Sequence, residues 1–189
     1  MTDNRSDLEI IHQVLDGDKS SYGSLVDKYK DFAFTIAFRI MNNTPDAEEV
    51  AQDAFIKAFR SLAKFNQEAK FTTWLYRIVF NTAISYKRKQ KREIIDAVEE
   101  LPDLGVARDN LNLESDDQKK YIALAIAKLL PLDATVITLY YLKELSLDEI
   151  AQITDLTMST LKVRLFRARK RIAKELESIL KSEAITLLS

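Results

Sequence analysis

An all-α fold is what this sequence predicts. Glycine and proline together number only six in 189 residues, so the chain carries few of the residues that punctuate strands and hairpins. β-Branched alternation is scarce, and apolar residues recur instead at spacings of three and four, the period of a helix face. A third observation divides the fold. Residues 94–117 hold Pro102, Gly105 and many acids without steady periodicity. That pattern predicts an acidic linker joining two small helical domains, 1–93 and 118–189.

The elements follow in order. A first helix is expected near Leu8–Leu15, with Leu8, Ile11 and Leu15 on its inward face. Leu25, Val26, Tyr29, Phe32, Ala33, Ile36, Ala37 and Ile40 mark a longer second helix, which Asn42-Asn43-Thr44-Pro45 breaks. Thr44 is a suitable N-cap for the third, and Pro45 suits a first helical position. Ala47, Val50, Ala51, Ala54, Phe55, Ala58, Phe59 and Leu62 then form an unbroken apolar stripe. A short loop, Lys64–Lys70, leads to a helix over about Phe71–Lys91. In the second domain helices are expected near Gln118–Leu129, Asp133–Lys143, Ser146–Ile153 and Ser159–Leu180. Ser146-Leu-Asp-Glu149 reads as a capping box, in which hydroxyl and carboxylate each satisfy a backbone N–H at the helix start.

Composition excludes several classes. Apolar residues at 47% permit a packed core, and 30% charged residues indicate a solvated surface. There is no cysteine, which excludes disulfides and thiolate metal sites and fits a reducing compartment. No apolar run approaches the ~20 residues needed to span a bilayer, and the first residues lack a signal-peptide pattern. The cytoplasm, without membrane insertion, is therefore expected.

The net charge of −1 hides a strong pattern. Residues 51–93 hold 10 basic and 3 acidic groups, a balance of +7, and residues 156–189 hold 8 and 3, a balance of +5. The stretches 1–50, 94–120 and 121–155 are all net acidic, at −5, −5 and −3. Attraction for phosphate is thus confined to two surfaces.

The C-terminal surface is the more specific. Leu145–Arg171 reads as a short acidic helix, a polar turn and a basic helix, the charge split and spacing of a helix-turn-helix whose second helix enters a DNA major groove. On that second helix Leu161, Leu165, Ala168 and Ile172 form the inward stripe. The opposite one carries Val163, Phe166, Arg167, Lys170 and Lys174, flanked by Lys162, Arg164 and Arg171. A phenylalanine exposed among cations suits thymine methyls or sugar edges. A merely solvated basic helix and a calmodulin-like amphipathic segment are the plainer alternatives.

The central surface lies on the Phe71–Lys91 helix. Leu75, Val79, Ala83 and Tyr86 are expected inside, while Trp74, Arg77, Asn81, Ser85 and Arg88 form another stripe that runs into Lys87-Arg88-Lys89-Gln90-Lys91-Arg92. Guanidiniums, an amide and an aromatic in one row suit a groove that tracks a backbone beside unpaired bases. Phe65, Asn66 and Gln67 in the preceding loop offer walls and hydrogen bonds for a base taken out of the stack. Trp74 and Phe65 fit a core equally well. The Pro45–Leu62 helix presents Glu49, Gln52, Asp53, Ile56 and Arg60 outward, and an exposed isoleucine there points to a protein contact. Glu49 and Asp53 lack the histidine or third acid that a metal site needs, so no metal, cofactor or catalytic residue is expected.

Together these residues resemble the extracytoplasmic-function (group 4) sigma factors of bacterial RNA polymerase, of the RpoE-like type. Asp46–Phe59 is similar to the region 2 helix that binds core polymerase, Phe65–Ala83 to the segment that reads and melts the −10 element, and Leu145–Arg171 to the region 4 helix-turn-helix that reads the −35 element. The resemblance implies two helical domains, region 2 at 1–93 and region 4 at 118–189. It implies that Glu49, Gln52, Asp53 and Ile56 meet the clamp coiled coil of the polymerase β′ subunit. Phe65, Asn66, Gln67, Ile78 and Asn81 would hold the flipped −10 base, with Arg77, Lys87 and Arg88 on phosphates. Lys162, Val163, Phe166, Arg167 and Lys170 would face the −35 groove, and Arg164 its backbone. Partners implied are core polymerase (β′ clamp and β flap), promoter DNA and an anti-sigma factor, with no chemistry of the chain's own. Val163 stands where relatives carry a small polar residue, Asp155 where the turn often has glycine, and Thr154 where an apolar residue is common. Asp155 is compatible with that turn, since aspartate tolerates left-handed geometry.

Two other classes remain as alternatives. One is a helix-turn-helix regulator of duplex operators, with residues 1–92 as a sensing or dimerisation module. A second basic groove over Phe65–Arg92 argues against it. The other is a metal-dependent nuclease, which lacks a carboxylate cluster; the lone His12 lies away from both basic blocks.

Overall fold

A computed structural model of the chain describes residues 6–97 and 117–187. Among them every regular element is helical. The helices are α1 (Asp7–Leu15), α2 (Tyr22–Met41), α3 (Thr44–Ser61), α4 (Phe71–Ala97), α5 (Asp117–Ala127), α6 (Pro131–Leu142), α7 (Leu147–Thr154) and α8 (Met158–Leu187), with 3₁₀ turns at Lys19–Ser21 and Leu62–Lys64. The described residues divide into two compact units, 6–97 with 152–154, and 117–151 with 155–187. The expected linker falls mostly on residues 98–116, outside the described residues, while 94–97 continue α4 and Asp117 opens α5.

In the first unit α2, α3 and α4 pack on one another. Leu25, Ile36, Ala47, Val50, Ala54, Leu75 and Val79 are fully enclosed between them. Alanines at 47, 54 and 58 let the helices approach closely, because their short side chains leave little between two backbones. Truncating an enclosed leucine such as Leu75 to alanine would cost about 2–5 kcal/mol, the sum of lost burial and the cavity left behind. The inward face of α1 is rotated from the expected one: Ile10, Ile11 and Val14 are buried, and Leu8 and Leu15 are exposed. α1 is tied to α2 by Asp7, which accepts from Lys28 Nζ at 2.6 Å and from the Tyr29 hydroxyl at 2.5 Å.

The α2–α3 corner also differs by one residue from expectation. Asn42 is left-handed at φ 61° and closes α2, while Asn43, not Thr44, caps α3 by accepting from the Asp46 N–H at 2.9 Å. An asparagine amide reaches that N–H as well as a hydroxyl does, and Thr44 becomes the first helical residue. Phe59, expected inside, lies at the edge of the core and packs edge-on against Tyr22 at 5.0 Å.

In the second unit α8 packs against both α5 and α6. Val136, Leu139, Ile150, Leu161, Leu165 and Ala168 are buried, as the inward stripe of the basic helix predicts. Ile172, the fourth member of that stripe, is half-buried. No helix among the described residues is long and apolar enough to cross a membrane.

Candidate nucleic-acid interface

The C-terminal surface begins with the turn that aims α8. The Ser146 capping box forms as expected. Its hydroxyl accepts from the Glu149 N–H at 3.2 Å, and Glu149 accepts from the Ser146 N–H at 2.8 Å. α7 ends at Asp155, which adopts the left-handed conformation (φ 55°, ψ 25°) that the turn requires. Thr157 then starts α8, its hydroxyl accepting from the Thr160 N–H at 3.3 Å. The helix therefore begins one residue before the expected Ser159.

Beyond the turn, α8 shows solvent five of the six residues expected at the −35 element. Val163 is 47% exposed and Phe166 67%, and Lys162, Arg167 and Lys170 are exposed beside them. Two other arginines of α8 have their guanidiniums engaged inside the unit. Arg164 Nη1 donates to Asp133 Oδ1 on α6 at 2.6 Å. Arg169 Nε donates to the Tyr141 hydroxyl at 2.7 Å, with its guanidinium about 5.5–5.7 Å from the Tyr140 and Tyr141 ring centres. Neither partnership has a sequence signal, since each joins residues about 30 positions apart.

The central surface is organised by α4. Arg77, Asn81, Ser85 and Arg88 are exposed along one stripe, which spans ~16 Å at 1.5 Å per residue. Ile78 is half-buried at its margin. Lys87 is placed elsewhere: its ammonium donates to the Met41 carbonyl at 3.1 Å, where a cation complements the C-terminal end of α2. In the loop, Phe65 leans edge-on against Phe71 at 5.7 Å and on Trp74 at 5.4 Å, and Phe71 and Trp74 lie 5.7 Å apart. Phe65 and Trp74 thus share one half-buried aromatic cluster, part core and part surface, beside exposed Asn66 and Gln67. Gln67 holds a left-handed backbone, φ 62°. For a residue with a long side chain this costs roughly 1–2 kcal/mol, a strain that the sequence did not signal.

On α3, Glu49, Gln52 and Asp53 are exposed and Ile56 is 48% exposed, as the helical period predicts. Tyr86, expected in the core, is only half-buried. Its hydroxyl donates to Glu49 at 2.9 Å and, more weakly, to Asp46 at 3.4 Å. The bond to Glu49, with some desolvation and the nearby carboxylates, pushes the Tyr86 phenol up to about 12. Gln90 adds a bond to Asp46 at 3.0 Å. The acidic row of α3 and the basic end of α4 are therefore joined directly. Among the described residues no three histidine or acidic side chains are grouped to hold a metal ion.

The family models Sigma-70 region 2 and Sigma-70, region 4 match residues 25–93 and 119–172. The chain is 35% identical over 188 residues to the ECF RNA polymerase sigma factor SigW of Bacillus subtilis (strain 168), covering 89% of this chain and 96% of that protein. It is 33% identical over 191 residues to the ECF RNA polymerase sigma-E factor of Escherichia coli (strain K12), covering 96% and 100%. Two solved structures share its fold. The sigma factor RpoE in complex with the anti-sigma factor NepR, from Bartonella quintana, matches with a TM-score of 0.69 at 22% identity, over 82% of this chain and 96% of that one. CnrH in complex with the cytosolic domain of CnrY matches with a TM-score of 0.63 at 22% identity, over 91% and 97%.

Proposed function

The chain belongs to the extracytoplasmic-function sigma factors of bacterial RNA polymerase, and on that premise we propose how its two domains divide the work of promoter recognition. Domain 1–93 docks on core polymerase and captures the opened −10 strand. Domain 118–189 reads the −35 duplex, and residues 94–117 tether the two. The observation that carries this reading is the difference between the two cationic faces. The α4 stripe sets an amide between guanidiniums beside an accessible aromatic cluster, which suits unpaired bases. The α8 stripe sets Phe166 and Val163 among cations beyond a left-handed turn, which suits a major groove.

Within that division Asn81, with Phe65, Asn66, Gln67 and Ile78, holds the base taken from the −10 stack, and Arg77 and Arg88 hold its phosphates. Lys162, Val163, Phe166, Arg167 and Lys170 face the −35 bases and their flanks. Glu49, Gln52, Asp53 and Ile56 meet the polymerase clamp, and the second domain meets the β flap. Strand opening is driven by binding: affinity for the unpaired strand exceeds affinity for the duplex, and the difference offsets unpairing. The chain supplies no catalytic group, so bond formation belongs to the polymerase, and the work is done in the cytoplasm. An anti-sigma factor is proposed as a further partner, on the likeness to sigma factors solved with NepR and CnrY. A duplex-operator regulator working without polymerase is not favoured, because the relatives are sigma factors.

Run-off transcription with purified core polymerase and a genomic fragment library tests the proposal. Transcripts that start at a fixed distance from shared −10 and −35 elements, and only when the chain is added, are expected. Core binding without any promoter-dependent transcript would overturn it.

A further inference from the structure

We propose that Asp133 on α6 withholds Arg164 from promoter phosphates and so sets the sequence-independent strength with which α8 holds DNA. The proposal rests on the assignment of α8 to the −35 duplex, and it revises the sequence-based expectation that Arg164 grips the backbone.

Arg164 stands on the first turns of α8, beside an open groove of about 610 Å³ lined by Asp133, Ser159, Thr160, Arg164, Arg167 and Arg171, among others. A phosphate that entered this groove would meet hydroxyls and guanidiniums, the groups that bind phosphate in nucleic-acid complexes. Three arginines on that wall do not make three charges, however. Asp133 is only 15% exposed and Arg164 31%, and they meet through a 2.6 Å charge-assisted bond. The pair is neutral toward a ligand in the groove. Arg167 and Arg171 carry the remaining positive charge.

Two features hold the pair closed. Asp133 lies in the first turn of α6, where the positive end of the helix dipole attracts a negative side chain. Among the described residues Arg164 Nε is buried without a hydrogen-bond partner, so Asp133 is the acceptor that fixes this guanidinium there. Drawing Arg164 onto a phosphate would strand a shielded carboxylate beside an anion. The two losses, desolvation of an unpaired acid and repulsion, oppose the exchange. A carboxylate outside the recognition helix therefore removes one cation from the count that fixes non-specific attraction.

The test uses holoenzyme assembled on core polymerase and two labelled duplexes, one with the −35 element and one scrambled. Binding is measured by anisotropy across a salt series. Each phosphate contact contributes about 0.9 to the slope of log affinity against log salt, which is roughly 8-fold in affinity at 0.1 M. Asp133→Asn is expected to tighten binding to both duplexes by about that factor and to steepen the slope by about 0.9. Asp133→Ser should do the same if the first variant folds poorly, with melting curves reporting the fold. The double variant Asp133→Asn, Arg164→Gln removes a neutral pair and should return both slope and affinity to the wild-type values. Weaker binding by Asp133→Asn, an unchanged slope, or a double variant whose slope is shallower by about one contact would each overturn the proposal. Wild-type holoenzyme that does not distinguish the two duplexes would instead remove the −35 assignment of α8, and the proposal with it.

Discussion

Replacing Asn81 with alanine separates the base pocket from the fold that carries it. Asn81 is exposed on α4, between Arg77 and Arg88, and its side chain makes no hydrogen bond within the described residues. Its removal leaves no buried group unpaired and opens no cavity. Alanine is also the better helix former by up to about 0.7 kcal/mol, so the fold should hold or tighten slightly. The binding side is different. A carboxamide both donates and accepts, and a well-placed pair of hydrogen bonds to a base edge is worth about 1–3 kcal/mol, or roughly 5- to 150-fold in affinity. Core contact is assigned to α3, through Glu49, Gln52, Asp53 and Ile56, which the substitution does not touch. The assay compares wild-type and Asn81→Ala holoenzyme for binding to a labelled single strand bearing the −10 element, alongside core binding and thermal melting of the free chain. The expected result is a loss confined to the single strand. Equal loss of core binding, or no loss of strand binding, would refute the base-pocket role.

Three further outcomes are expected. Arg167→Ala should reduce −35 discrimination by about 1–3 kcal/mol if it pairs with a guanine, and competition binding with single-base promoter variants would show unchanged preference if it does not. Asp53→Arg should abolish holoenzyme formation on size exclusion while leaving the helical content of the chain intact, because its side chain is exposed; normal assembly would remove α3 as the contact face. Alkaline pH should weaken the first unit. Burial raises the phenols of Tyr22, Tyr29 and Tyr76 above the ordinary value of 10, Tyr76 to about 12. A folded-state value above the unfolded one contributes stability that is complete below pH ~10 and is lost as pH climbs through about 12 and beyond. Urea midpoints that match at pH about 9 and about 11 would contradict that sign.

Residues whose partners are close in sequence were legible before any coordinates. The Ser146–Glu149 capping box spans three residues. The left-handed Asp155 answers a turn of fixed length. The exposed rows of α3, α4 and α8 follow from a period of 3.6 residues, which states whether a side chain faces the core or solvent. Where the margin between alternatives is one residue or one position around the helix, the pattern failed. Asn43 rather than Thr44 caps α3, and Ile10 and Val14 rather than Leu8 and Leu15 line the core. Neighbouring candidates there differ little in local free energy, and packing of the whole unit chooses between them.

By itself, then, the chain determined an all-helical fold in two parts and two separate cationic faces, because helical period, capping and charge are local properties. Only the tertiary structure decided which cations are available. Lys87 is spent on a carbonyl 46 residues away, Arg164 on an aspartate 31 residues away, and Glu49 accepts a tyrosine 37 residues on. The physical reason is that a charge's worth to a ligand depends on what already neutralises or binds it, and those partners are brought near by packing that no sequence interval encodes.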